Sequence, residues 1–474
     1  MQNSPTLPPP RAPAPAQVLA YYAFALLAFS AGAIANGYPL IFYDTGTYLR
    51  TGIELRFPTD RPVFYGLFLL PLHLKLSLWP VVAAQGLLVA YLLDRILARF
   101  LPAGLAMAPW PRPVLVAALA LGTSLPWFAG QVMPDLFAPL AVLAALLVAA
   151  SPLVWRSLEW WAAAGVLVLS QAVHVTHVPL VLAVVACLAA SRFLLRAPLP
   201  WSGLGMAVAC VAAAYALLVA SNLVATGRAT TSYDGGLFLL ARLLDYGTAQ
   251  DYLAHTCPNA MERVCAVLKD FPRGTKDYFL WSWLQEGHLG GFDGLRDDAS
   301  RLSRLVVQDA PLRHIWLALQ AGLQQFLHFP TATSLDALLP STSAWRIIHA
   351  RFAWEAPQFD ASLQQHGALP VAFLSSVHVP LGYGMLAAAV ALLVLAAWRR
   401  NAIAATVLAT VLAALAVNAL FGGGLSMGDA RYQSRMMMLL PIALVIALAH
   451  LLYTSRAPAP PPPSATRRLP EFQA

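Results

Sequence analysis

The sequence predicts an all-α, polytopic membrane protein of about ten transmembrane helices. Of its 474 residues, 59% are hydrophobic and only 11% are charged, and the mean hydropathy is +0.64. A soluble domain has about 25% charged residues. The net charge of +8 arises largely from arginines between apolar stretches, where they set membrane topology. Binding to nucleic acid is therefore not expected.

Each apolar stretch is close to the roughly 20 residues that a spanning helix needs. The stretches lie near 18–37, 78–99, 113–130, 133–150, 159–175, 176–195, 203–224, 371–397, 402–421 and 434–454. The start of the chain is rich in Pro and Ala and lacks the basic segment of a signal peptide. We expect 1–17 to be a disordered cytoplasmic tail before a retained first helix, and Pro-rich 455–474 to be a second such tail.

Positive charges predict the orientation. If the N-terminus is cytoplasmic, the arginines that flank the apolar stretches fall on the cytoplasmic side: Arg99, Arg112, Arg156, Arg192, Arg196, Arg399, Arg400, Arg456, Arg467 and Arg468. The opposite ends near 128–134 and 174–178 have no Lys or Arg. This pattern predicts a multi-pass protein of the bacterial-type cytoplasmic (inner) membrane, with both termini in the cytoplasm.

The same topology places residues 226–370 outside the cytoplasm, as a helical domain inserted between helices 7 and 8. It separates an N-terminal transmembrane domain, 18–225, with a first external loop at 38–77, from the C-terminal helices, 371–454. Mixed apolar and polar spacing predicts helices in the inserted domain. Cys257 and Cys265 lie in it and are either a disulfide or two free thiols.

Ionisable residues collect at the predicted extracytoplasmic ends of the helices. Such groups are costly near a membrane and tend to mark function, so we expect the site to face outward. The candidates are Asp44, Asp60, Arg61, Asp135, His174, His177, Arg431 and Arg435.

Each aspartate also has a structural interpretation. Asp44 and Asp135 are each placed to cap a helix or form a turn. Asp44 is alternatively a general base that takes a proton from a hydroxyl. Asp60 and Arg61 form either a local ion pair before Pro62 or, through the guanidinium, a phosphate contact. Pro62 is expected to open a helix over Val63–Leu76.

The histidines and the late arginines have alternatives too. His174 and His177, three apart, share a helix face, and a shared hydrogen-bonding role is favoured over a metal because no neighbouring acid completes a ligand set. Arg431 and Arg435 follow a glycine run and either bind an anion or reach lipid headgroups. Arginine at an outer end opposes the positive-inside bias, which favours the anion.

Two short stretches resemble the GT-C superfamily of membrane glycosyltransferases, in outline the protein mannosyltransferase and aminoarabinose transferase type. One is Asp44 with the run Asp60-Arg61-Pro62-Val63-Phe64-Tyr65-Gly66 after the first helix. The other is Arg431-Tyr432, which leads into Leu439-Leu440-Pro441. Asp44 is followed by threonine where many members have a second acid, and here the large external segment interrupts the helices.

The resemblance implies an inverting transferase that moves a hexose or pentose from a polyprenyl-phosphate donor to an envelope lipid, glycan or protein. Asp44 would be the base, Arg61, Arg431 and Arg435 would hold the phosphate, and the other candidates would contact substrate. The phosphate leaves as a stable anion, so no metal or other cofactor is expected. The implied partners are the lipid-linked donor and membrane lipids.

Two other functions remain open from the sequence. A transporter or flippase of a lipid-linked or anionic substrate would have charged or broken helices near the bilayer midplane and related halves of the chain. A non-catalytic envelope-assembly protein is the third interpretation. The sequence does not indicate the oligomeric state.

Overall fold

The protein is all-helical in a computed structural model, which describes residues 14–152, 157–257 and 262–454. Within these residues the only β-type pairing is an isolated parallel bridge between Leu40 and Gln131. The first helix begins at Pro15, inside the predicted N-terminal tail. The rest of that tail, 1–13, and the predicted tail at 455–474 lie outside the described residues.

The N-terminal part, before the inserted region, contains twelve helices. They are α1 (Pro15–Phe29), α2 (Ala31–Asn36), α3 (Thr45–Glu54), α4 (Phe64–His73), α5 (Trp79–Phe100), α6 (Ala103–Ala106), α7 (Pro111–Gly122), α8 (Leu125–Ala129), α9 (Phe137–Ala150), α10 (Leu158–Ala172), α11 (His177–Leu194) and α12 (Trp201–Thr226). A 3₁₀ turn, Pro134–Leu136, leads directly into α9.

The inserted region is helical, as predicted. It contains α13 (Gly235–Asp245), α14 (Thr248–Thr256), α15 (Glu262–Leu268), α16 (Lys276–Tyr278), α17 (Gly291–Asp309), α18 (Pro311–Phe326), α19 (Ser343–Arg351) and α20 (Ala356–Asp360). The helices from α13 to α17 enclose a hydrophobic core of their own. Cys257 and Cys265 are joined by a disulfide, so the free-thiol alternative is wrong.

The C-terminal part contains α21 (Val371–Trp398), α22 (Ala402–Ala419), α23 (Ala430–Ser434) and α24 (Leu439–Thr454). A π-helical turn, Leu420–Gly424, extends α22.

Six helices among the described residues are long and apolar enough to cross a membrane. They are Trp79–Phe100, His177–Leu194, Trp201–Thr226, Val371–Trp398, Ala402–Gly424 and Ala430–Tyr453. The other four predicted stretches contain shorter helices, α1, α7, α9 and α10, of at most 15 residues. Fifteen residues extend only about 22 Å, against about 30 Å of hydrocarbon. Membrane embedding is thus supported, and a count of ten spans remains a prediction.

Local backbone geometry shortens two of these segments. The first is interrupted at Ser30, which separates α1 from α2. The third is interrupted after Gly122, where Thr123 has extended backbone angles that cannot continue a helix. The predicted helix Val63–Leu76 runs only from Phe64 to His73, because the backbone turns into the left-handed region at Leu74.

The loop over residues 38–77, which the sequence predicts to be external, is fixed at both ends by the last part of the inserted region. Glu355 is fully buried, and one of its carboxylate oxygens accepts hydrogen bonds from the Tyr38 hydroxyl at 2.9 Å and the Leu78 backbone N–H at 3.2 Å. The Gln364 side chain accepts from the backbone N–H of Ile41 and donates to the carbonyl of the same residue. The loop that bears the predicted site is therefore rigidly placed.

Replacing Glu355 with alanine is expected to destabilise the protein. The change leaves the Tyr38 hydroxyl and the Leu78 N–H without their acceptor, which costs about 1–3 kcal/mol for each buried group. Thermal unfolding in detergent should show a lower Tm. Glu286→Ala is the matched control, because Glu286 is exposed and contacts only His288 through its side chain. Equal Tm values for the two variants would contradict this role.

Candidate functional site

One group of charges is centred on Arg61. Its Nη1 lies 2.9 Å from Asp44 Oδ1 and its Nη2 lies 2.6 Å from Asp60 Oδ2. The guanidinium also lies over the Tyr48 ring, 5.3 Å from the centroid. Asp44 precedes α3, but its side chain makes no capping hydrogen bond to that helix. Asp44 thus lies in a turn at the N-cap position of α3, as its structural interpretation predicts, but it does not cap the helix through its side chain, and the Asp60–Arg61 pair is present but shared with a second carboxylate.

A second group is centred on Asp135, which is 3% exposed. Its Oδ1 lies 3.2 Å from Nη1 of Arg435 and its Oδ2 lies 3.5 Å from Nη1 of Arg431. Arg431 is also 3.4 Å from Asp429 and lies over the Phe42 ring at 4.0 Å. Asp135 lies in the turn that begins α9, where it pairs with two arginines that follow it by about 300 residues.

Backbone hydrogen bonds hold the two groups beside each other. The Leu40 N–H donates to the Gly130 carbonyl, and the Leu40 carbonyl accepts from Val132 N–H, each at 2.9 Å. The Thr45 hydroxyl donates to the Val132 carbonyl at 2.9 Å. These bonds attach the segment that carries Asp44 to Val132, which precedes the buried Asp135 by three residues. In consequence Asp44 interacts electrostatically with Arg431.

His174 lies in the turn between α10 and α11, next to the second group. Its ring stacks on His177 with centroids 5.0 Å apart, and its Nδ1 is 2.8 Å from the Thr176 hydroxyl. Burial, together with the charge of Arg435, lowers the pKa of His174 to about 4, so this ring is neutral at pH 7. The Nδ1 atom of His177 is hydrogen-bonded to the Ser170 carbonyl oxygen at 2.6 Å, and the His177 side chain is fully buried.

The histidine contacts fit the hydrogen-bonding interpretation. Among the described residues, no group of three or more His, Cys, Asp or Glu side chains is placed to hold a metal ion.

A small pocket of about 10 Å³, enough for one water molecule, lies where these elements meet. It is lined by His174, Thr176, Asn418, Phe421, Gly422, Ser426, Tyr432 and Arg435. Some buried guanidinium nitrogens near it make no hydrogen bond of good geometry, namely Nε and Nη1 of Arg431, which are in the longer ion-pair contacts with Asp429 and Asp135, and Nε of Arg435. An unpaired buried donor costs about 1–3 kcal/mol. Planar guanidinium donors of this kind suit phosphate or carboxylate oxygens.

The net charge of the site does not itself favour an anion, because three arginines face four carboxylates. Each guanidinium is oriented by a carboxylate: Arg61 by Asp44 and Asp60, and the later pair by Asp135 and Asp429. What favours an anionic ligand is Arg435, which lines the pocket and whose buried Nε makes no hydrogen bond within the protein. Because the guanidiniums are already held in place, less side-chain conformational entropy is lost when a ligand binds.

A second groove, with a volume of about 250 Å³, lies beside Asp60. It is lined by Thr47, Arg50, Thr51, Arg56, Phe57, Pro58, Thr59 and Asp60. The pair formed by Asp60 and Arg61 therefore lies between this groove and Asp44.

All eight predicted residues lie in or beside this arrangement, but sequence reasoning missed three of its members. Asn418 donates to the Tyr432 carbonyl at 2.6 Å and accepts from Arg435 at 3.4 Å. The Tyr432 ring lies 5.1 Å and 5.0 Å from the two guanidiniums, and Phe42 lies under one of them. Asn418 could have been identified from the sequence, because it is the only side-chain amide in the apolar helix α22, and polar residues within such helices tend to be functional.

No protein-family model, curated protein or solved structure matches the chain.

We expect Asp135→Ala to destabilise the fold strongly. It leaves two buried guanidiniums without their shared carboxylate, and removing one partner of a buried pair typically costs about 3–5 kcal/mol. The matched control is Asp297→Ala, which removes an aspartate from the exposed pair with Arg228 and should change little. Thermal unfolding of both variants in detergent measures the difference. An unchanged Tm for Asp135→Ala would contradict the importance of the contact between Asp135 and the two arginines for stability.

Proposed function

We propose that the protein is a membrane glycosyltransferase of the GT-C type, which moves a sugar from a polyprenyl-phosphate donor to an envelope acceptor on the extracytoplasmic side. The observation that supports this proposal is the meeting of Asp44 and Arg61 with Arg431 and Arg435. They come from opposite ends of the chain and from the two stretches that resemble the superfamily. A partly exposed carboxylate beside buried guanidiniums suits transfer from a phosphate leaving group.

The proposed reaction is a single displacement with inversion. The acceptor hydroxyl oxygen forms a bond to the anomeric carbon of the sugar as the bond from that carbon to the phosphate oxygen breaks. Asp44 takes the hydroxyl proton, and the phosphate leaves with the bonding electron pair. Arg431 and Arg435 stabilise the negative charge that develops on the phosphate. His174, neutral and next to Arg435, is placed to bind a sugar or phosphate hydrogen-bonding group.

The pairing with Arg61 has two effects on the proposed base. It holds the Asp44 carboxylate in one position, 2.9 Å from the Arg61 guanidinium. It also leaves the side chain 29% exposed, so an acceptor can approach it from the open side. Asp60 and the adjacent groove, with Arg50 and Arg56, would then contact the acceptor.

The proposed function also requires a topology. The short helices α1, α7, α9 and α10 would cross the membrane beside the six longer ones, to give ten spans. Both termini would be cytoplasmic and the pocket would face outward, as the arginine distribution predicts. Polar residues then gather at one membrane face, which favours an enzyme acting at that surface over a transporter with a site at the midplane.

Transfer activity tests the proposal directly. The purified protein in nanodiscs is given a panel of polyprenyl-phosphate hexoses and pentoses with an extract of bacterial envelope lipids and glycans, and release of polyprenyl monophosphate is measured. At least one donor should be turned over by the wild type. Asp44→Asn should lower turnover by about 10²–10⁴-fold, the range for loss of a general base.

Glu54→Gln is the matched control, because Glu54 is an exposed carboxylate on the same helix, α3. Its turnover should equal that of the wild type. Failure of the wild type to use any donor would reject the glycosyltransferase. Undiminished turnover by Asp44→Asn would reject Asp44 as the base.

A further inference from the structure

Helix α18 in the inserted region exposes a stripe of large apolar side chains. The spacing of three and four residues places them on one helix face. They are Leu312, Ile315, Trp316, Leu319, Leu323 and, just after the helix, Leu327, each between 46% and 79% exposed. An apolar stripe of this size on a protein surface marks a contact with a partner or a membrane.

The opposite face of α18 packs on the end of a membrane-spanning helix. Gly424 lies against Ala318, where an added Cβ would be 2.7 Å from the Ala318 carbonyl oxygen. Gly423 approaches Ala321 in the same way, at 2.6 Å from its carbonyl oxygen. Small residues thus let α18 approach the turn that extends α22, which is part of the span Ala402–Gly424. The position of α18 relative to the membrane is therefore set by that span.

The C-terminal end of α18 also contacts another span, α21. The Tyr383 hydroxyl donates to the Leu327 carbonyl at 2.6 Å, and the Tyr383 ring lies 4.9 Å from the Phe329 ring. A carbonyl at a helix end needs a partner wherever water is excluded. Tyr383 provides that partner. It belongs to α21, whose most apolar 18 residues are only 22% buried inside the protein.

The depth of this contact follows from α21. Trp398 ends the helix before Arg399 and Arg400, which is the composition of a membrane boundary. Tyr383 precedes Trp398 by 15 residues, or about 22 Å of helix. Since the hydrocarbon is about 30 Å thick, Tyr383 lies roughly 8 Å inside the opposite boundary. Amphipathic helices at membrane surfaces insert their apolar faces about 5–10 Å deep.

We propose that α18 is an interfacial membrane helix whose apolar stripe lies among the lipid acyl chains of one leaflet. Arg313, Gln320 and Gln324 form its polar edge at the headgroups, and Arg313 pairs with Asp251 of α14. The inference does not depend on glycosyl transfer. It does place a lipid-bound element next to the site, because Gln325 of α18 donates to the Asp429 carbonyl at 2.8 Å.

Spin labels at two adjacent positions of α18 test this placement. Leu323→Cys and Gln324→Cys are made in full-length protein with Cys187 and Cys210 replaced by alanine, and each is labelled in phosphatidylcholine vesicles. The label at 323 should be several-fold more accessible to oxygen, which dissolves in acyl chains, than to a water-soluble nickel chelate. The label at 324 should show the reverse preference. Val390→Cys on the exposed face of α21 is the lipid-facing control.

Two results would overturn the proposal. One is nickel accessibility at 323 equal to that at 324, which means that the stripe faces water. The other is shielding of 323 from both reagents, which means that protein, such as a second copy of the chain, covers it.

A second measurement retains the native cysteines. Lipids brominated near the headgroup should quench the fluorescence of the wild type more than that of Trp316→Phe, and equal quenching would also contradict the proposal.

Discussion

The site depends on the buried contact of one carboxylate, Asp135, with two guanidiniums, Arg431 and Arg435. Removing charges from water is costly, and a buried pair persists only if its geometry and additional hydrogen bonds compensate. Here Asn418 and the Phe42 ring complete the surroundings of the arginines. This contact holds the start of α9 against α23 and the residue that follows it, Arg435, just before α24.

The loop over residues 38–77 is fixed around this contact. Its backbone bridges to the segment before Asp135, and its two ends are bound by Glu355 and Gln364 of the inserted region. Asp44 and Arg61 are therefore placed by residues about 300 positions away in the chain. The inserted region, which interrupts the membrane helices in sequence, fixes the loop that carries these two site residues. This offers a physical reason for its location between α12 and α21.

Several parts of this arrangement could be predicted from the sequence, and others could not. Apolar stretches located the helices, and the placement of ionisable groups at their ends located all eight candidate residues. The partner of Asp135 could not be predicted, since an aspartate after Pro134 is equally suited to a cap until the distant arginines are placed. The interruptions at Ser30 and Thr123 depend on packing and on local backbone angles, so hydropathy alone overestimated the lengths of those two helices. The pattern of α18 predicted a helix but could not indicate that lipid covers one face.

Our proposal requires that Arg431 and Arg435, oriented by Asp135, bind the phosphate of a polyprenyl lipid beside Asp44. A cryo-electron microscopy map of the full-length protein in nanodiscs with added polyprenyl monophosphate tests this binding. We expect phosphate density within hydrogen-bonding distance of the two arginines, at the pocket lined by His174, Asn418, Tyr432 and Arg435. Lipid phosphate bound elsewhere, with this pocket empty at saturating ligand, would contradict it.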